Sequence, residues 1–241
     1  MILRYAGKSA KSAELIQNAL IELGMNVSFM RGGKRGDVNY GRGKANTRLN
    51  PNISNSTNKL KMRMAFQQAG VPMPKLYSYE AALKATAEGK KLVGRSTRHM
   101  KGRGLWIVDT PERVEIAWRG NSKKQAATHF MEYVEADKEM RVHIFRGKSI
   151  RMTEKKYEGK TGRRRDYTTV KPTGDKLERK RVRRAAKNAV KALGLDFGAV
   201  DILVKSEQPS VLEVNAAPGL GGTMPAVYAK AIKEWYERQN I

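Results

Sequence analysis

The chain has 241 residues, 40% of them hydrophobic, which fits a globular protein with one sizeable core or two smaller lobes and excludes disorder throughout. It has no cysteine, so disulfides, thiolate zinc sites and a thiol nucleophile are excluded, and His99, His129 and His143 are too scattered to suggest a metal cluster. A formal net charge of +25, from 48 basic and 23 acidic side chains, favours polyanionic partners such as nucleic acid, nucleotide or acidic peptide and says nothing about chemistry.

Residues 2 to 6 read as a short strand. This end lacks the charged-then-apolar layout of a secretion signal and no run approaches eighteen apolar residues, so a cytoplasmic location without membrane contact is expected. From Ser9 to Leu23 the residues Leu15, Ile16, Ala19, Leu20 and Leu23 form a helical stripe that ends at Gly24, and Val27-Ser28-Phe29 starts a second strand. This β-α-β opening is Rossmann-like in outline. Gly7-Lys8-Ser9 fails as a P-loop, because the glycine needed five residues earlier is Ile2. Between Arg31 and Asn55 glycine, arginine, asparagine and lysine dominate, which predicts a surface loop, either mobile or binding an anion or acceptor substrate.

A helix starting at Ser56, with Ser54 or Ser56 as cap and Leu60, Met64, Ala65 and Gln68 on one side, ends at Gly70-Val71-Pro72. Lys75 to Tyr77 is extended, Tyr79 to Glu88 helical and Lys91 to Arg95 a strand, followed by a glycine loop around Gly102 and Gly104. His129 to Val134 is another strand, Glu139 to Phe145 alternates polar and apolar, and Ser149 to Thr153 returns. Lys155 to Arg165 is polar and almost continuously basic, which predicts a loop. In the helix from Lys176 to Leu193, Val182, Ala185, Ala186, Ala189 and Val190 form the apolar face, and its lysines and arginines read as a solvated face. A closing helix repeats Val227, Ala231 and Trp235.

Two β-branched runs, Val200-Asp201-Ile202-Leu203-Val204 and Val211-Leu212-Glu213-Val214-Asn215, flank the interval Lys205 to Ser210, short enough for a hairpin loop. Glu213 and Asn215 share a face, and Asp201 interrupts the neighbouring strand, so three oxygen ligands converge. A hard divalent cation such as Mg²⁺ would offset the carboxylate pair. The plainer reading is a half-exposed hairpin with a wet face. The small-residue turn Ala216-Ala217-Pro218-Gly219 directly after the ligands, where backbone can approach a ligand closely, favours the first.

Asp on one strand and Glu-x-Asn-x-x-Pro-Gly on the next resemble the metal-binding core of the ATP-grasp superfamily, in the group of carboxylate-amine ligases that includes the ribosomal-protein glutamate and D-alanine–D-alanine ligases. The phrase Asn58-Lys59 through Ala69-Gly70-Val71-Pro72-Met73-Pro74, the strand end at Arg95, the Gly102 and Gly104 loop, and Glu132-Tyr133-Val134 followed by Glu139-Met140-Arg141-Val142 follow the same order. The resemblance implies an α+β ATP-grasp fold, with two lobes clamping a nucleotide and a shortened Rossmann-like subdomain in front. Its expected units are residues 1–55, 56–130 with the glycine lid loop, and 131–241 with the metal site.

By the same resemblance ATP and Mg²⁺ or Mn²⁺ are the cofactors, with the metal on Asp201, Glu213 and Asn215. Lys59, Arg95, Gly102 and Gly104 would meet phosphate, the backbone of Glu132, Tyr133 and Val134 the adenine edge, and Glu139 the ribose hydroxyls. Asn58 stands where the family has Asp, and Arg95 where it has lysine. Arg141, with Lys155 and Arg163 of the basic run, would act beside the γ-phosphate or an acyl phosphate. The implied reaction is ATP-dependent amide or peptide bond formation, with unidentified acid and amine substrates, of which one is acidic or polyanionic. The rival expectation is a basic nucleic-acid-binding protein that keeps the fold without the catalysis, with Tyr157 and Tyr167 available for stacking.

Overall fold

The computed structural model describes residues 1–5, 10–31, 35–41, 43–97, 105–120, 126–161 and 164–239. Gly7-Lys8-Ser9, Gly102, Gly104 and Arg163, singled out above, lie outside the described residues. In chain order the elements are β1 (Ile2–Tyr5), α1 (Ala10–Glu22), β2 (Ser28–Arg31), β3 (Arg35–Tyr40), β4 (Asn46–Leu49), α2 (Ser54–Thr57), α3 (Lys59–Gln68), β5 (Leu76–Tyr77), α4 (Tyr79–Ala87) and β6 (Leu92–Arg95). They continue with β7 (Leu105–Val108), α5 (Pro111–Arg119), β8 (His129–Glu132), β9 (Lys138–Phe145), β10 (Lys148–Thr161), β11 (Arg164–Val170), α6 (Lys176–Ala192), β12 (Phe197–Lys205), β13 (Gln208–Asn215) and α7 (Met224–Arg238).

These strands form a parallel sheet ordered β2-β1-β3-β4, an antiparallel sheet β5-β8-β6-β7 and a larger antiparallel sheet β11-β10-β9-β12-β13. The large sheet positions the site, because its residues alternate between faces with period two. Met140, Val142, Ile144, Val200, Ile202 and Val204 pack with Val182, Ala186 and Val190 of α6 and with Met62 and Phe66 of α3. Phe145 and Phe197, on the opposite face, pack with Tyr228 and Ile232 of α7 and with Leu3 and Ile16. Truncating Phe66, which is fully buried, would cost about 3–5 kcal/mol.

Several expectations are corrected. Residues 31–55 carry β3 and β4 instead of a plain loop. Composition hid them, because their fixed points are polar: buried Asn39 donates to the Asn50 carbonyl at 2.8 Å. The Asn50 side chain in turn accepts from the Asp196 and Phe197 amides at 2.8 and 3.2 Å, which ties this stretch to the start of β12. The basic run from Lys155 is likewise no loop. It belongs to β10 and β11, a long antiparallel pair in which Lys155 lies opposite Thr169.

The helix expected from Ser56 is broken at Asn58, whose side chain caps α3 by accepting from the Lys61 amide at 3.1 Å. Its inner face is Met62, Arg63 and Phe66, while Met64 is half exposed. In α7 Trp235 is buried as the repeat requires, but Val227 and Ala231 are only partly buried, and the other inward residues include Tyr228 and Ile232, about a quarter turn away. In α1 Ile16 and Leu20 are buried, as the stripe requires, but Leu23 is exposed.

Candidate active site

The β12–β13 hairpin turns through Ser206 and Glu207, both left-handed at φ 47° and 63°, so its loop is shorter than the interval Lys205 to Ser210 implied and the second strand resumes at Gln208. Its register places Asp201 directly across from Glu213 and Ala199 across from Asn215. Opposite residues of an antiparallel pair share a face, so all three oxygen-bearing side chains project together. The Asn215 amide nitrogen donates to Glu213 Oε1 at 3.1 Å.

Cations from three other elements close on this row. Lys59, at the first position of α3, donates from Nζ to Glu213 Oε2 at 2.7 Å. Arg141 on β9 lies across from Asp201 on β12 and reaches its Oδ1 at 3.3 Å. Lys155 on β10 lies across from Glu139 and bridges Glu139 Oε1 at 2.5 Å and Asp201 Oδ1 at 3.1 Å. The second Glu139 oxygen accepts from the Tyr157 hydroxyl, and the Lys155 ammonium sits 5.0 Å from the centre of the Tyr167 ring.

Burial and charge set opposite directions for the two hairpin carboxylates. For Glu213 burial pushes the pKa up, but the Lys59 ammonium and the Asn215 amide outweigh it and hold the group at about 2. For Asp201 burial wins over Arg141 and Lys155 and raises the pKa. Burial pulls the Lys155 and Arg141 pKa values down, but the carboxylates they face, Asp201 foremost, more than reverse it, so both cations are held charged.

The remaining predicted residues sit around this cluster. Arg95 ends β6 within electrostatic reach of Glu213, and burial lowers its pKa. The segment after β6 meets α3, since the Lys59 amide donates to the Thr97 carbonyl at 3.4 Å. At the end of β8 the Glu132 amide donates to Lys75 O at 2.9 Å, and just beyond it the Tyr133 amide donates to Lys91 O at 3.1 Å. Of the three predicted adenine-facing amides, that of Val134 makes no backbone hydrogen bond among the described residues.

Arg63 escaped the sequence reading. It lies one turn after Lys59 on α3, buried, and donates to Val211 O of β13 at 2.8 Å and toward Met131 Sδ of β8 at 4.0 Å. It therefore pins the four-stranded antiparallel sheet to the large one beside the site. Burial, with nearby Arg95, lowers its pKa to about 10. The signal available was the i,i+4 spacing from Lys59, which puts both cations on one side of the helix.

Lys59, Arg63, Arg95, Arg141 and Lys155 thus surround Asp201, Glu213 and Glu139, a preset excess of positive charge suited to a polyphosphate. Among the described residues no three His, Cys, Asp or Glu side chains cluster to hold a metal, and the hairpin's third donor is an amide. Two facing carboxylates and an amide oxygen are all hard donors, and that set fits Mg²⁺ or Mn²⁺. The turn after β13 also meets the N-terminal unit of parallel sheet and α1: the Tyr40 hydroxyl of β3 donates to Pro218 O and the Leu220 amide to Ser12 Oγ of α1 at 3.0 Å. No helix among the described residues is long and apolar enough to cross a membrane.

A probable alpha-L-glutamate ligase of Parasynechococcus marenigrum is 27% identical over 182 residues, which cover 70% of this chain and 38% of that protein. A second, from Hahella chejuensis, is 27% identical over 183 residues, 70% of this chain and 58% of its own length. The chain therefore spans roughly two fifths to three fifths of these curated relatives. Among solved structures, the D-alanine–D-alanine ligase of Bacillus anthracis superposes with a TM-score of 0.73 at 15% identity over 99% of this chain and 98% of that one. The ATP-grasp ligase PsnB, in complex with a minimal precursor, does so with 0.72 at 14% identity over 97% and 98%. At such identities the likeness shows the fold alone, an α+β ATP-grasp fold. The ATP-grasp domain family matches residues 56–219, from within α2 to the glycine after the Glu-x-Asn strand, and the chain belongs to that family.

Proposed function

We propose that this protein is an ATP-dependent carboxylate-amine ligase that works through an acyl phosphate. The observation that carries the reading is the β12–β13 register, which sets Asp201 against Glu213 with Asn215 on the same face inside a ring of cations. Pure nucleic-acid binding has no need of an acidic cluster inside a basic protein. The reading divides the chain into units at 1–55, 56–130 and 131–241.

Asp201, Glu213 and Asn215 hold the metal, which draws charge from the phosphate oxygens when bound. Lys59 and Lys155 exchange their carboxylate partners for phosphate oxygens as the triphosphate enters, and Arg95 and Arg141 add charge from the flanks. The Val134 amide meets the adenine edge and Glu139 takes the ribose hydroxyls. A substrate carboxylate oxygen then attacks the γ-phosphorus, and the bond to the β-phosphate bridging oxygen breaks to release ADP. Next the amine nitrogen attacks the acyl carbon, phosphate departs with the bonding pair, and the amine proton passes to solvent. The protein's part is positioning and charge stabilisation, with no side-chain nucleophile.

The curated relatives are named for α-L-glutamate, which makes glutamate the first substrate to offer. ADP release is measured with Mg²⁺, ATP and pools of amino acids, peptides and polyanions. The reading expects release that needs both a carboxylate and an amine and that falls by about a thousandfold in Glu213→Gln. Release indifferent to both substrates, or unchanged in that variant, would overturn it.

A further inference from the structure

We propose that the outer face of α6 docks the phosphate backbone of a nucleic-acid duplex, independently of base sequence. This goes beyond the ligase reading. The helix buries Val182, Ala185, Ala186, Ala189 and Val190 and exposes Lys176, Lys180, Arg183, Arg184, Lys187 and Lys191. At 1.5 Å per residue this row runs about 22 Å along the helix. Two further exposed cations, Arg146 and Lys148, lie at the turn from β9 to β10, which meets the segment past α6 where the Arg146 amide donates to Asp196 O at 2.6 Å.

None of the six side chains has an ion pair or side-chain hydrogen bond among the described residues. The remaining basic residues of α6 are engaged: Arg179 donates to Gly174 O at 2.7 Å and Arg181 to Glu207 Oε2 at 3.0 Å. The helix has one acid, Glu178, which is buried and paired with Lys138 at 3.0 Å. Lys176 and Lys180, Lys180 and Arg184, Arg183 and Lys187, and Lys187 and Lys191 are therefore like-charge neighbours at i,i+4, which destabilise a helix. Solubility is served better by alternating signs, so a row of one sign fits a counter-charged partner.

The chemistry selects among polyanions. Protein interfaces are anchored by aromatic and apolar residues and are depleted in lysine. This row contains no aromatic, and its one exposed large apolar neighbour on the helix, among the described residues, is Leu177 at the N-terminal end. A duplex carries one phosphate charge per ~1.7 Å of axis, so a straight cationic row meets several at once. The nucleotide of the site described above is not the occupant, because α6 covers the sheet face opposite Asp201 and Arg141.

The test is fluorescence anisotropy of the full chain with a labelled random-sequence DNA duplex, and in parallel an RNA duplex, across a salt series. Six phosphate contacts predict a log-log slope of about −5 for DNA, and Arg184→Gln with Lys187→Gln and Lys191→Gln should reduce its magnitude by about 3 and weaken binding tenfold or more. Retained stabilisation of that variant by a nonhydrolysable ATP analogue shows that it is folded. If it is not, the single variants carry the test, each lowering the slope by about 1. Binding to either duplex with these slopes supports the proposal. It is overturned by absent or salt-independent binding, by unaltered slopes in the variants, or by polyglutamate or anionic vesicles that compete as well as unlabelled duplex at equal charge.

Discussion

The active-site cluster and the outer face of α6 are both crowded with lysine and arginine, yet they treat charge in opposite ways. In the cluster Lys59, Arg141 and Lys155 are each locked to a carboxylate at 2.5 to 3.3 Å. On α6 six cations stand in solvent with no ion pair among the described residues. The difference follows from burial: a charge withdrawn from water must be paired, while an exposed one is screened and can be left for a partner. A net charge summed along the sequence cannot separate these two populations, and the fold does.

The comparison breaks most severely where a buried pair loses one member. Asp201→Leu leaves Arg141 and Lys155 facing each other without their shared anion, which should cost about 3 kcal/mol or more in urea unfolding. Arg63→Met is expected to cost about 1–3 kcal/mol, because the buried Val211 carbonyl loses its donor and the two antiparallel sheets lose their pin. A melting temperature equal to that of the unsubstituted protein would remove Arg63 from the account.

Acid sharpens the comparison next. Burial, with Arg141 and Arg151 nearby, holds His143 at about 3 against an ordinary 6.5, so the unfolded chain takes up the proton first. Its contribution is complete above 6.5 and is lost as the pH falls from there through about 3. Glu213, held at about 2 against an ordinary 4.5, contributes fully above 4.5 and loses that contribution as the pH falls through about 2. His143→Gln should flatten the stability curve in the upper window alone, and Lys59→Met in the lower one alone, read by unfolding at stepped pH. The smallest effect belongs to α6: Lys180→Glu turns the repulsions with Lys176 and Arg184 into attractions and should stabilise by about 0.5 kcal/mol.

The site was legible in the sequence where local pattern and function coincide. Glu213 and Asn215 could be put on one face by period two, and the hairpin follows from β-branched runs around a short polar turn. What stayed hidden depends on contacts distant in sequence. Strands β3 and β4 are fixed by Asn39 bonding to the Asn50 carbonyl and by Asn50 bonding across to residues 196 and 197, and no local periodicity announces that. Lys155 read as part of a basic loop beside the γ-phosphate, yet it lies on a strand that turns it inward between Glu139 and Asp201. The face of α3 was misjudged because Met64 looked like core, whereas Lys59 and Arg63 dictate the rotation by facing the carboxylates and β13. In α5 the signal was local and went unread: Thr110 caps it and Pro111 occupies its first turn.

The central claim is that the Asp201, Glu213 and Asn215 row with its cations receives a metal-bound triphosphate. Calorimetric titration of a nonhydrolysable ATP analogue, with and without Mg²⁺, tests it most directly. The account predicts Mg²⁺-dependent binding to one site per chain, weakened about tenfold or more in both Glu213→Gln and Lys59→Met. Binding of equal strength in these variants, or binding indifferent to Mg²⁺, would contradict it.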